Sequence, residues 1–168
     1  MLNFVEAVIC VMHGFAIGIS IDISTCADIR ICTADVKFSV KEVDIGLAAD
    51  VGTLTRLPKV VGHYGWVKEV SMTARNFGAE EAYRVGFVNH VAATKVEAMQ
   101  HATNLAVTLA SKSPVAVQGT KNFLDYSRDH TVPDGECPEY AGCVVANHTA
   151  RTLIYCCLEC WSSADERR

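Results

Sequence analysis

Apart from Glu6, apolar residues fill the stretch from Val5 to Met12, which ends at His13-Gly14 and has the length and pattern of a buried parallel strand. Gly14 and Gly18 bracket a loop, and Ile19 to Cys26 then spans two helical turns with Ile19, Ile23 and Cys26 on one face. Asp28 to Cys32 and Lys37 to Val40 alternate as strands, and Glu42 to Gly46 continues the alternation. Gly46 and the small residues Ala48 and Ala49 then predict a turn into a helix near Asp50, which can cap it. Helical spacing covers Val60 to Met72, Ala79 to Arg84, Lys95 to Ser111 and Pro114 to Ser127, with a short strand from Phe87 to Val91. In Lys95 to Ser111 the stripe is Val96, Met99, Ala102, Ala106 and Leu109, and Pro114 suits a first helical turn. Strands and helices alternate first and helices dominate later, so the pattern predicts an α/β chain with an α-helical end. The first strand begins with nothing before it to pair with, so exposed sheet edges are expected there and after Arg30.

Composition narrows the chemistry. The 168 residues are 50% apolar and 20% charged, which fits one globular domain and excludes disorder. A net charge of -4 removes the electrostatic case for nucleic acid or an anionic membrane, leaving a small molecule or a protein as partner. No apolar run has the roughly 18 residues of a membrane span. The first basic residue is Arg30, so no secretory or transit leader is expected, and Asp165 to Arg168 is no peroxisomal address. Eight cysteines are expected as free thiols. Five of them, Cys137, Cys143, Cys156, Cys157 and Cys160, fall in the last 32 residues. Cys157 and Cys160 form a C-x-x-C pair that Cys137, Cys143 and His148 could join at zinc, but the second pair has the wrong spacing, so no metal is expected.

Taken singly, the carboxylates read as ordinary structure. Asp22 is a first-turn helix residue, Glu42 a strand carboxylate beside Lys41, and Asp50 an N-cap. Alternation sets Asp44 on the same strand face as Glu42, in a structural role. His13 reads as a satisfied, buried strand-end residue, and His63, His90, His101, His130 and His148 share no spacing.

The picture changes with two longer blocks. His13-Gly14-Phe15-Ala16-Ile17-Gly18-Ile19-Ser20-Ile21-Asp22-Ile23, followed by Ala27-Asp28-Ile29-Arg30, resembles the glycine-rich loop and helix of the crotonase family of enoyl-CoA hydratases and isomerases. Lys41-Glu42-Val43-Asp44-Ile45-Gly46-Leu47-Ala48-Ala49-Asp50-Val51-Gly52-Thr53-Leu54, with Arg56-Leu57-Pro58-Lys59 after it, is similar to the branch that moves 3,5-dienoyl-CoA to 2,4-dienoyl-CoA. Ser111 to Gln118 and Tyr126 to His130 agree with the same branch.

The resemblance implies the C-terminal part of a ββα superhelical spiral, followed by helices of a trimerisation region. On this basis residues 1–132 are a partial crotonase-like domain, with a spiral remnant over 1–92 and a helical region over 93–132, while 133–168 is a divergent cysteine-rich tail. The resemblance also implies an acyl-CoA substrate, no cofactor beyond that thioester, a homo-oligomer (trimer or hexamer), and a mitochondrial or peroxisomal setting. Its acids match Glu42, Asp50 and Asp22. Glu42 would take the proton next to the thioester, Asp50 would serve the far end of the diene, and Asp22 would orient substrate or set its neighbours' proton affinity. Gly18 and Ile19 match the loop that presents an N–H to the thioester oxygen. Ile19, Ser20 and Phe15 stand where the family has glycines, so a strained, crowded loop at Ile19 is expected. Family members also carry an N-terminal half before the first strand, which makes a truncated isomerase one expectation and a catalytically inactive oligomerisation protein the alternative.

Overall fold

The computed structural model describes residues 4–135 and the backbone of a strand at Leu153–Cys156. In chain order it runs β1 (Val8–Met12), β2 (Phe15–Ile17), α1 (Ile19–Ser24), β3 (Ile29–Thr33) and β4 (Lys37–Ser39). A 3₁₀ turn at Glu42–Ile45 follows, then α2 (Thr53–Val60), α3 (Tyr64–Thr73), β5 (Phe77–Gly78), α4 (Ala79–Arg84) and β6 (His90–Ala92). The chain continues through α5 (Lys95–Ala110), α6 (Pro114–Asp129), the single turn α7 (Val132–Gly135) and β7 (Leu153–Cys156).

Two successive units of strand, strand and helix build two sheets. β1 and β3 enter a parallel sheet of order β6-β3-β1-β7, while β2 and β4 enter a second sheet of order β2-β4-β5. All five residues of β1 are buried, as a parallel strand covered on both faces requires. Ile9, Val11 and Ile31 face Ala98, Ala102 and Ala106 of α5. Cys10, Met12 and Cys32 point the other way, into a core with Ile21, Leu57, Val70 and the rings of Phe38, Phe77, Phe87 and Trp66. Phe38 stacks on Phe77 at 5.2 Å between centroids and meets the edge of Phe87 at 5.4 Å. Arg30 is buried between the layers, where its guanidinium donates to the carbonyls of Phe87 and Ala27 at 2.6 Å. Burial pushes its pKa down.

Several expectations are corrected. Both β1 and β3 are paired on each side, so neither presents an open edge: β7 lies parallel to β1 with Ile9 opposite Ile154. Residues 42–46 are not a strand. Lys41 reaches Asp44 at 2.9 Å, a contact made three residues along a helical turn, and Gly46 closes that turn at φ 76°. Asp44 therefore shares no strand face with Glu42 and sits exposed in this ion pair. Residues 60–72 are not one helix, because Val61 turns extended and His63 Nδ1 accepts the Trp66 N–H to start α3 afresh. The residue count from Phe87 to Val91 shifts too: pairing begins at His90, and Phe87 is a core residue. On α1 the buried residues are Ser20, Ile21, Asp22 and Ser24, whereas Ile19 is exposed and Ile23 and Cys26 are half-buried. On α5, Ala98 takes the inward place expected for Val96, which is exposed. His13 is only partly buried.

Candidate active site

The site grows out of the junction between β2 and α1. β2 pairs with β4, and this ladder ends where the Gly18 N–H donates to the Ser39 carbonyl at 2.9 Å. The chain must then turn from strand into helix in one residue. Gly18 does so at φ 58° and ψ -118°, a conformation that side-chain-bearing residues rarely adopt. Ile19 comes next, as the first residue of α1. Here the expectation of strain is corrected: among the described residues only Ala74 has a positive φ without being glycine. Gly18 absorbs the unusual geometry, leaving Ile19 in ordinary helical backbone with its side chain 56% exposed. As the first helical residue, Ile19 has no intrahelical acceptor for its N–H.

Glu42 lies against this turn. A Cβ built on Gly18 would sit 3.1 Å from Glu42 Oε1, so the glycine also makes room for the carboxylate. The other carboxylate oxygen, Oε2, is shielded from solvent and has no hydrogen-bond partner among the described residues. A buried acceptor without a donor costs about 1–3 kcal/mol. Its position is fixed from β4 and α3: the Lys41 ammonium donates to the Ala74 carbonyl at 2.9 Å, and Ser39 Oγ donates to the same carbonyl at 2.9 Å.

Asp22 and Asp50 occupy different environments. Asp22, on α1, is only 2% exposed and accepts the Thr53 N–H at 2.6 Å. It thus caps α2 from another helix, a role the sequence reading gave to Asp50. Asp50 instead lies exposed on the turn that precedes α2, with Gly52 at φ 140° between it and the first helical residue. The carboxylate is held there through the turn rather than through a cap. Arg56 spans the same turn, donating to the Val51 carbonyl at 3.1 Å and to Thr25 Oγ1 at 3.3 Å. Sequence reasoning does not single out Thr53 or Arg56 as site residues, since the contacts that matter join segments about thirty positions apart in sequence.

Among the described residues no three His, Cys, Asp or Glu side chains converge as a metal site. Cys137, Cys143, His148, Cys157 and Cys160 lie outside the described residues. Cys32 is buried in the core, where desolvation, with Asp35 adding to it, pushes its thiol pKa up to about 12. No described helix is long and apolar enough to cross a membrane.

A carboxylate oxygen with no donor among the described residues, set against a strand-to-helix turn whose first N–H has no acceptor within its own helix, can take a proton beside a carbonyl and steady the resulting charge. The chain is similar in sequence and fold to known proteins. The enoyl-CoA hydratase/isomerase profile matches residues 2–135. The mitochondrial Delta(3,5)-Delta(2,4)-dienoyl-CoA isomerase of Rattus norvegicus is 52% identical over 129 residues, which is 77% of this chain and 39% of the rat protein. The peroxisomal isomerase of the same name from Arabidopsis thaliana is 44% identical over 130 residues, covering 77% of this chain and 46% of the plant protein. The chain therefore spans less than half the length of these relatives. A crystal structure of an enoyl-CoA hydratase/isomerase from Cupriavidus metallidurans superimposes with a TM-score of 0.77 at 31% identity, over 85% of this chain and 52% of that one. By its profile match and by its two-sheet ββα architecture, the chain belongs to the enoyl-CoA hydratase/isomerase family.

Proposed function

We propose that this chain carries the proton-transfer machinery of a dienoyl-CoA isomerase, converting 3,5-dienoyl-CoA to 2,4-dienoyl-CoA. Glu42 removes a proton from the carbon next to the thioester. The electron pair moves through the diene, placing negative charge on the thioester oxygen, and the Ile19 N–H stabilises that charge. Asp50 supplies a proton to the far terminus of the diene, so one proton leaves the substrate and one enters. The diene ends conjugated with the thioester. Asp22, buried and already bonded to the α2 backbone, orients the site and does not exchange protons with substrate. The chemistry asks for no resident cofactor, because the thioester itself is the electron sink.

The observation that supports this reading most directly is the unpartnered Glu42 Oε2 beside the Gly18-Ile19 turn. Similarity to mitochondrial and peroxisomal isomerases supports the substrate class and those two compartments. Glu42→Gln tests it: isomerisation is abolished while acyl-CoA binding stays nearly intact, because the amide keeps the shape and loses the base. Unchanged turnover in this variant removes Glu42 from the mechanism.

A second reading, a non-catalytic member that acts by assembly, draws on exposed apolar side chains at Ile45, Leu47 and Val51. Both readings include a homo-oligomer, a trimer or hexamer. Isomerase assay of the oligomer separates them.

A further inference from the structure

We propose that Arg56 is a positioning residue that locks the turn carrying Asp50 to helix α1. This rests on the isomerase reading above and adds to it a residue that touches neither substrate nor the reacting carboxylates.

Three observations converge on the guanidinium. Its Nη2 donates to the carbonyl of Val51, the residue directly after Asp50. Its Nε donates to Thr25 Oγ1, whose own hydroxyl donates to the Asp22 carbonyl at 2.7 Å. Arg56 therefore ties the turn to the end of α1, one helical turn from where the Asp22 carboxylate holds the Thr53 N–H. The third observation is Gly52. The Arg56 guanidinium occupies the space that a Cβ on Gly52 would fill, so the glycine lets the side chain lie across the turn. Residues 50–52 are thus held from both ends, by Asp22 at the helix start and by Arg56 over the top.

Such a clamp has a catalytic consequence that a merely stabilising contact lacks. Asp50 is exposed, and no described hydrogen bond fixes its side chain, so its location depends on the backbone of its turn. Displacing a catalytic group by about 1 Å can cost on the order of 100-fold in rate. A lysine in place of Arg56 could reach Val51 or Thr25 but could not span both with a planar fork.

The test compares the full chain with Arg56→Ala and Arg56→Lys, using steady-state kinetics on a 3,5-dienoyl-CoA and amide hydrogen exchange. In Arg56→Ala, kcat falls roughly 10- to 100-fold with KM within about twofold, and Arg56→Lys recovers part of kcat. Exchange at the Thr53 and Thr55 amides speeds up about tenfold or more, while the Ile31 and Cys32 amides of β3 keep their protection. Unchanged kcat in an active protein overturns the proposal, as does a loss confined to KM. Exchange at Thr53 and Thr55 within about twofold of the parent also overturns it. If the parent chain does not isomerise the dienoyl-CoA, the functional reading fails on its own account, and the exchange data alone decide whether Arg56 holds the turn.

Discussion

Substituting alanine for Gly18 separates two demands that the strand-to-helix turn places on one residue. The first is backbone conformation: at φ 58° and ψ -118° an alanine is strained by about 1–3 kcal/mol. Alanine also restricts the unfolded chain, which returns about 0.4–1 kcal/mol, so a net loss of about 1–2 kcal/mol is expected. The second demand is space, since the new Cβ would stand 3.1 Å from Glu42 Oε1 and the carboxylate must give by a few tenths of an ångström. Gly14 provides the control: its φ is 64°, but a Cβ there meets nothing within 4 Å. Urea unfolding followed by circular dichroism should therefore show destabilisation in both Gly14→Ala and Gly18→Ala, the larger in Gly18→Ala. Initial isomerisation rates, read from ultraviolet absorbance as the diene comes into conjugation, should fall by a further factor of roughly 3–10 in Gly18→Ala only. Equal rate losses in the two variants, after matching for folded fraction, would refute the close approach of Glu42 as a catalytic requirement.

Ile19→Gly is expected to bring no gain in kcat/KM, because Gly18 already carries the unusual φ, and to cost about 1 kcal/mol of stability from weakened α1; a rise in kcat/KM would restore the crowded-loop explanation. Arg75 grips Glu81 with two guanidinium nitrogens at 2.6 and 3.1 Å and Trp66 Nε1 donates to it at 2.7 Å, holding the Glu81 carboxyl below its usual range. That stabilisation is present above the unfolded carboxyl value and is lost as pH falls through the folded one, so Glu81→Gln should lower stability by about 1–3 kcal/mol at neutral pH and flatten the acid limb of the stability profile. Cys32, with its thiol pushed up to about 12, should resist alkylation in the native protein as resolved by mass spectrometry of its peptide. The folded state keeps this proton while the unfolded thiol loses its own, so stability contributed by Cys32 is full below pH about 9 and declines toward 12; Cys32→Ala should blunt that alkaline decline.

Elements governed by local periodicity were legible in the chain. β1 shows as an unbroken apolar run, and α5 and α6 show as long helical patterns with Pro114 at a first turn. Where two local patterns competed, tertiary contacts decided. Alternation through Glu42-Val43-Asp44-Ile45 imitates a strand, but neither Val43 nor Ile45 finds a core to face, and the Lys41 bond to Ala74 seats the turn against α3. At the site, family likeness pointed to Glu42, Asp50, Asp22, Gly18 and Ile19. Their physical relations were not legible. Asp50 has the composition of an N-cap, yet the cap comes from Asp22, because a buried carboxylate gains more from an unpaired helix N–H than an exposed one does. No pattern along the sequence could show that the Arg56 side chain crosses Gly52.

The parallel sheet also sets an order in time. Ile9 pairs with Ile29 on one side and with Ile154 on the other. The second closure spans roughly three more doublings of loop length than the first, about 2 kcal/mol of additional entropy at ~0.6 kcal/mol per doubling. β1 and β3 can therefore associate early, whereas β7 joins only after the intervening chain has condensed. High sequence separation of this kind slows folding far more than it weakens the finished structure. During synthesis on a ribosome, β1 is made well before residues 153–156, and its pairing with β7 waits until they appear. Chaperone engagement with nascent chains should accordingly be longest in this interval, and strand-edge association between unfinished copies should compete with productive folding there.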